Sequence, residues 1–171
     1  MRARLATVLL AVAASAALVS ASNAGTHAAA DIPRCDVNDE RYTYLPSQGA
    51  AGTMYEKFRI SHRGKRPRCT LKGYPSVDLL DKHGRSLGIK VRRDRHFKVK
   101  RRVLKKGNRI YFWVHHPSFE RKTGKACPHK VYKIRVRLPR HSKSVTFKGF
   151  DPVRFCDDGA RKTPFRAKST Y

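Results

Sequence analysis

The chain has 171 residues, 39 of them Lys or Arg against 12 Asp or Glu, for a formal charge of +27 at pH 7. A chain of this length buries one real core without subdividing, which excludes a multidomain organisation. A surface this basic repels itself and concentrates polyanions.

In chain order, Arg2 and Arg4 precede an apolar and small-residue run from Leu5 to Val19. Positive residues, a short apolar run and then small residues are the parts of a cleavable export signal. The run is shorter than the ~20 residues a spanning helix needs, and no second run follows. Residues 1–24 are therefore expected to be a signal peptide helix, cut after Ala24, with Ala21 and Ala28 to Ala30 as fallback sites. Cys35 follows Ile32-Pro33-Arg34 rather than the small-residue box of a lipidated cysteine. Residues 25–34 are expected to be a flexible leader, 35–166 the folded domain and 167–171 a flexible tail. Loss of Arg2 and Arg4 with the signal leaves +25 on the mature chain.

The strand candidates follow in order: Arg41 to Leu45, Met54 to Ser61, Val77 to Leu80, Leu87 to Val91, Phe97 to Val103, Arg109 to His115, Val131 to Leu138 and Val145 to Phe150. Turn signals at Gly64, His83-Gly84, Lys106-Gly107 and Arg140-His141 separate them. Within Val131 to Leu138, Tyr132, Ile134, Val136 and Leu138 alternate with Lys133, Arg135 and Arg137, which predicts a half-buried strand with a cationic wet face. Leu87, Ile89 and Val91 alternate with Lys90 and Arg92, and Phe97, Val99 and Val103 alternate with Lys98, Lys100 and Arg102, with Arg101 out of phase. Both faces of Arg109 to His115 carry large apolar residues, so it is expected to be a central strand with Trp113 in the core. Short strands at this spacing, with no helical period after the signal, predict an all-β, immunoglobulin-like antiparallel β-sandwich.

The four cysteines allow three pairings, and spacing alone does not choose among them. Cys35 opens the first strand region and Cys69 closes the second, so antiparallel strands would bring them together, and the same geometry joins Cys127 to Cys156. No metal site is expected, because Cys127 and His129 lack zinc-knuckle spacing. No cofactor is expected either.

The order of landmarks resembles a family of exported actinobacterial domains of unknown function. The resemblance runs from Cys35 to about Phe165 and rests on Gly49-Ala50-Ala51-Gly52, on the block Cys69-Thr70-Leu71-Lys72-Gly73-Tyr74-Pro75, on Cys127-Pro128, and on Phe155-Cys156 before Thr163-Pro164-Phe165. It implies an immunoglobulin-like sandwich and export, with no assigned activity. This chain departs from the family pattern in carrying Lys and Arg on strands where neutral residues are expected.

No nucleophile elbow, phosphate-cradling glycine loop or His-Glu-x-x-His motif is present, so no catalytic residues are assigned and the chain is expected not to be an enzyme. The expected function is polyanion binding through Lys90, Arg92, Lys98, Lys100, Arg102, Lys133, Arg135 and Arg137, combined into one cationic face. The ligands this face would take are a teichoic-type polymer, an anionic lipid surface or extracellular nucleic acid. The mature chain is expected to be a secreted monomer retained at the cell envelope by charge. One alternative is an envelope protein that binds a protein partner. Another is a small secreted nuclease using Glu120, His115 or His116 and an arginine, as base, acid and cation.

Overall fold

Alternation of apolar and polar residues governs most of this chain, and in the computed structural model, which describes residues 31–170, it yields strands and one short 3-10 turn at Val37–Asp39. The expected signal peptide at 1–24 lies outside the described residues. The strands are β1 (Glu40–Ala50), β2 (Thr53–His62), β3 (Arg68–Leu71), β4 (Ser76–Leu80), β5 (Arg92–Arg93), β6 (Arg102–Lys105), β7 (Arg109–Pro117), β8 (His129–Val131), β9 (Lys133–Arg137), β10 (Ser144–Phe147), β11 (Val153–Phe155) and β12 (Arg161–Lys162).

The larger sheet has the order β1-β2-β7-β12-β5 and the smaller one β10-β9-β4, with two-stranded ribbons β3-β6 and β8-β11 beside them. β1 and β2 form a hairpin whose turn residues Ala51 and Gly52 both have positive φ, 44° and 75°. That is the mirror-image turn whose twist suits adjoining strands. Phe58, Ile60, Phe112 and Val114 from the larger sheet share one buried cluster with Val77, Leu79, Ile134 and Val136 from the smaller one. The fold is thus all-β, with two sheets packed over a common core.

β7 is central, flanked by β2 and β12, and Ile110 to Val114 are all buried, as its sequence predicts. Trp113 is 1% exposed. It lies on the face away from the shared core, covered by the Arg166 guanidinium 5.3 Å from its ring and by Lys57 at 5.8 Å. The bridges are Cys35–Cys69 and Cys127–Cys156, the expected pairing, with Cα separations of 4.8 and 4.5 Å. The second flanks the antiparallel pair β8–β11 as strand-end geometry implies, whereas the first rests on a parallel bridge between Arg34 and Thr70 rather than on antiparallel strands. Loops of this size contribute about 3 to 4 kcal/mol each in the chain-entropy account.

Several strand expectations need correction. Val131 to Leu138 is two strands rather than one: Tyr132 donates its N–H to the Leu80 carbonyl, and the chain changes partner there from β11 to β4. Leu87 to Val91 keeps alternating burial but joins no ladder, because Gly88 sits at φ 70° and the backbone turns. Between Phe97 and Val103 only the end is a strand, and its phase is reversed: Leu104 is fully buried while Val99 and Val103 are exposed. The out-of-phase Arg101 marks that error. One strand pair, β5 with β12, is parallel, which departs from the antiparallel expectation.

Candidate anion-binding site

The parallel pairing of β12 with β5 sets Arg161 beside Arg92 and Lys162 beside Arg93. Like charges directly across a ladder repel. Around them opens a cavity of about 750 Å³ lined by Arg92, Arg93, Arg95, Arg161 and Lys162, with His96 and Val91. No carboxylate belongs to this lining among the described residues.

The one acid nearby in sequence, Asp94, is turned away and 1% exposed. Its Oδ1 accepts from the His96 backbone N–H at 3.0 Å, and its Oδ2 lies 3.0 Å from His115 Nε2. The loop carrying it is propped from below by Tyr74, whose hydroxyl donates to the Asp94 carbonyl at 2.8 Å and whose ring lies 5.6 Å from the Arg93 guanidinium. Tyr74 belongs to the Gly73-Tyr74-Pro75 block, and Gly73, at φ 104°, accepts from the Phe165 N–H. The Gly73-Tyr74-Pro75 turn thus holds the cavity wall in place. Lys162 is desolvated, and burial first and the Arg93 charge second hold its ammonium below the ordinary lysine range. A bound anion would offset the Arg93 repulsion and favour the charged ammonium against its burial.

Of the residues expected to bind polyanions, only Arg92 joins this cavity. Lys90 is exposed before β5, Lys98 and Lys100 are exposed before β6, and Arg102 is half-buried with its Nε 3.4 Å from the Phe165 carbonyl. Lys133, Arg135 and Arg137 lie along β9, where Arg135 meets Asp78 at 3.5 Å. Arg92 on β5, Arg102 on β6 and the β9 stripe fall on three separate sheets, and Lys90, Lys98 and Lys100 lie outside any strand. The first two stripes do not form a hairpin, since β5 pairs with β12 and β6 with β3. Arg93, Arg95, His96, Arg161 and Lys162 were not singled out by sequence reasoning. Arg161 and Lys162 are distant in sequence from Arg92, Arg93 and Arg95, and only the parallel pairing reveals them.

A smaller cavity of about 350 Å³ gathers His115, His116, Glu120, Arg121 and Arg161. It brings together the set named for the nuclease alternative. His115 is occupied by Asp94, and burial lowers its pKa. His116 is 1% exposed, with Nδ1 donating to the Pro117 carbonyl and Nε2 3.2 Å from Glu56 Oε1.

A third carboxylate–histidine pair, Glu40 with His62, lies beside the Cys35–Cys69 bridge, where Cys69 Sγ is 3.0 Å from Glu40 Oε1. His62 Nε2 donates to the Arg66 carbonyl, and Nδ1 shares a proton with Glu40 Oε1 at 2.9 Å. Burial pushes the Glu40 carboxyl up to about 7. For His62, burial opposes the charge, but the Arg66 carbonyl and Glu40 outweigh it and raise its pKa. Both raised values give stability that is present below the unfolded values and is lost as pH rises through the folded ones. The stability advantage of the native chain over Glu40→Gln should therefore shrink by a few kcal/mol between about pH 5 and pH 8, read by urea unfolding at each pH.

Fold and site together define a disulfide-linked all-β domain with a cationic concavity at one end of its larger sheet. Residues 35–166 match the family described as the domain of unknown function DUF4232, and the chain belongs to that family. No curated protein and no solved structure matches it.

Proposed function

We propose that this is an exported, non-catalytic domain that binds anionic polymers of the cell envelope, anchored in the cavity between β5 and β12. The observation that carries this reading is a concave lining of four arginines and a lysine with Asp94 withdrawn from it. Cations concentrated in a cavity focus the field on an anionic group more strongly than the same charges spread over a convex surface. A teichoic-type polymer, with a phosphate in every repeat, has the ligand chemistry that suits it. Two disulfides suit an oxidising compartment, and charge would retain the domain at the cell surface.

Titrating inorganic polyphosphate and a short DNA duplex across a salt series tests this. A site that neutralises about five phosphates gives a log–log slope near −4 to −5 on duplex DNA. Binding that ignores salt would point instead to a packed protein partner. RNA cleavage lost on changing His115 or Glu120 to Ala would replace the reading with the nuclease.

A further inference from the structure

We infer that the segment 98–106 is a docking surface for an anionic lipid bilayer. Among the described residues three large apolar side chains are exposed, and two of them, Val99 at 41% and Val103 at 43%, fall in the densest cationic stretch. Lys98, Lys100, Arg101, Lys105 and Lys106 are exposed around them. No Asp or Glu occurs from Arg95 to Phe119.

The β3–β6 ladder fixes the C-terminal half of this arrangement. β6 pairs with β3 so that Leu104 is opposite Cys69 and turns into the core, while Val103 and Lys105, opposite Thr70 and Arg68, point the other way. The Arg101 guanidinium donates to the Ile32 carbonyl at 3.3 Å, which ties the segment to the start of the described chain. Arg68 directly opposite Lys105 is a like-charge pair that a surface of anionic headgroups relieves.

A soluble polyanion needs only the cations. Exposed valines among lysines suit an interface, where apolar atoms enter the boundary between headgroups and acyl chains while the lysine stems reach back to the phosphates. None of residues 98–106 lines the β5–β12 cavity, so this surface stands independently of the polymer site.

The test uses the full chain carrying Val99→Trp, with vesicles of phosphatidylcholine alone or mixed with phosphatidylglycerol. The buried Trp113 supplies a constant background. Emission from position 99 should shift to the blue, and be quenched by brominated acyl chains, only when phosphatidylglycerol is present. Val99→Ser with Val103→Ser should lower vesicle partitioning by roughly tenfold, from the lost apolar burial alone. Polyphosphate binding by that variant should be unchanged. Lys98→Ser with Lys100→Ser and Lys105→Ser should weaken the blue shift and the partitioning onto anionic vesicles more than the same three changes at Lys133, Arg135 and Arg137. The proposal is overturned by vesicle binding with no change in emission, by equal binding to neutral vesicles, or by serine variants that partition like the native chain. An emission response to polyphosphate but not to vesicles would also overturn it and make the segment part of a polymer site.

Discussion

Glu56→Ala should cost about 3 to 5 kcal/mol of folding stability, among the largest losses available from a single side chain in this domain. Glu56 sits on β2 facing inward, and its carboxylate accepts from the Tyr44 and Ser47 hydroxyls and pairs with His116 Nε2. Both ring nitrogens of His116 face acceptors, and the ring stacks on Phe155 at 3.7 Å, next to the Cys127–Cys156 bridge. Alanine would leave the buried His116 without its carboxylate and the half-buried Tyr44 and Ser47 hydroxyls with only each other. Burial pushes the Glu56 carboxyl up, but the hydrogen bonds from His116, Ser47 and Tyr44 outweigh it and hold its pKa below the ordinary value. This group therefore contributes stability that is present above the unfolded value and is lost as pH falls through the folded one. Guanidinium unfolding of the native chain and Glu56→Ala should show the large gap near neutral pH, narrowing in acid. A loss under about 1 kcal/mol near neutrality would mean that the network is not a closed one.

The cavity makes an equally large prediction for binding. Changing Arg92, Arg95 and Arg161 together to Ser should flatten the salt slope by about 3 and weaken polyanion binding by roughly 100-fold or more near 0.1 M salt. The comparison that decides the matter is Lys133, Arg135 and Arg137 changed to Ser, which removes the same charge from the smaller sheet. If the cavity is the anchor, the first variant weakens much more than the second. Equal losses would show that net charge alone attracts the ligand. The first variant should also fold at least as firmly as the native chain, because Arg161 and Arg92 are ladder neighbours and their repulsion disappears.

How far the sequence discloses this molecule depends on whether a pattern is local. In β9 the alternation of Ile134 and Val136 with Arg135 and Arg137 is local and correct, and so is the two-sided apolar character of β7. Phe97 to Val103 shows the limit, since three apolar residues in phase were outweighed by one leucine, Leu104, that packs under β3. Glu56 and His116 had a readable signal. Glu56 shares its parity with Phe58 and Ile60, and His116 with Ile110, Phe112 and Val114, so each is a polar residue on a core-facing row and demands a partner. That the two satisfy each other across 60 residues is a tertiary fact. The cavity was less legible still, because two of its five cations, Arg161 and Lys162, arrive through a parallel pairing of two-residue strands that no periodicity announces.

That pairing also sets when the site can exist. β12 lies between β7 and β5, so the outermost strand of the larger sheet has no neighbour to join until residues 161 and 162 are in place. A chain emerging from its N-terminus carries Arg92, Arg93 and Arg95 without their groove partners until Arg161 and Lys162 have followed. Only then does the groove close around a definite shape. Premature chain ends would keep most of the positive charge, and with it indiscriminate attraction to anything acidic, yet would lack the concave wall. If the cavity is the anchor, selective capture is thereby reserved for chains that have reached β12, a form of proofreading written into the order of the strands.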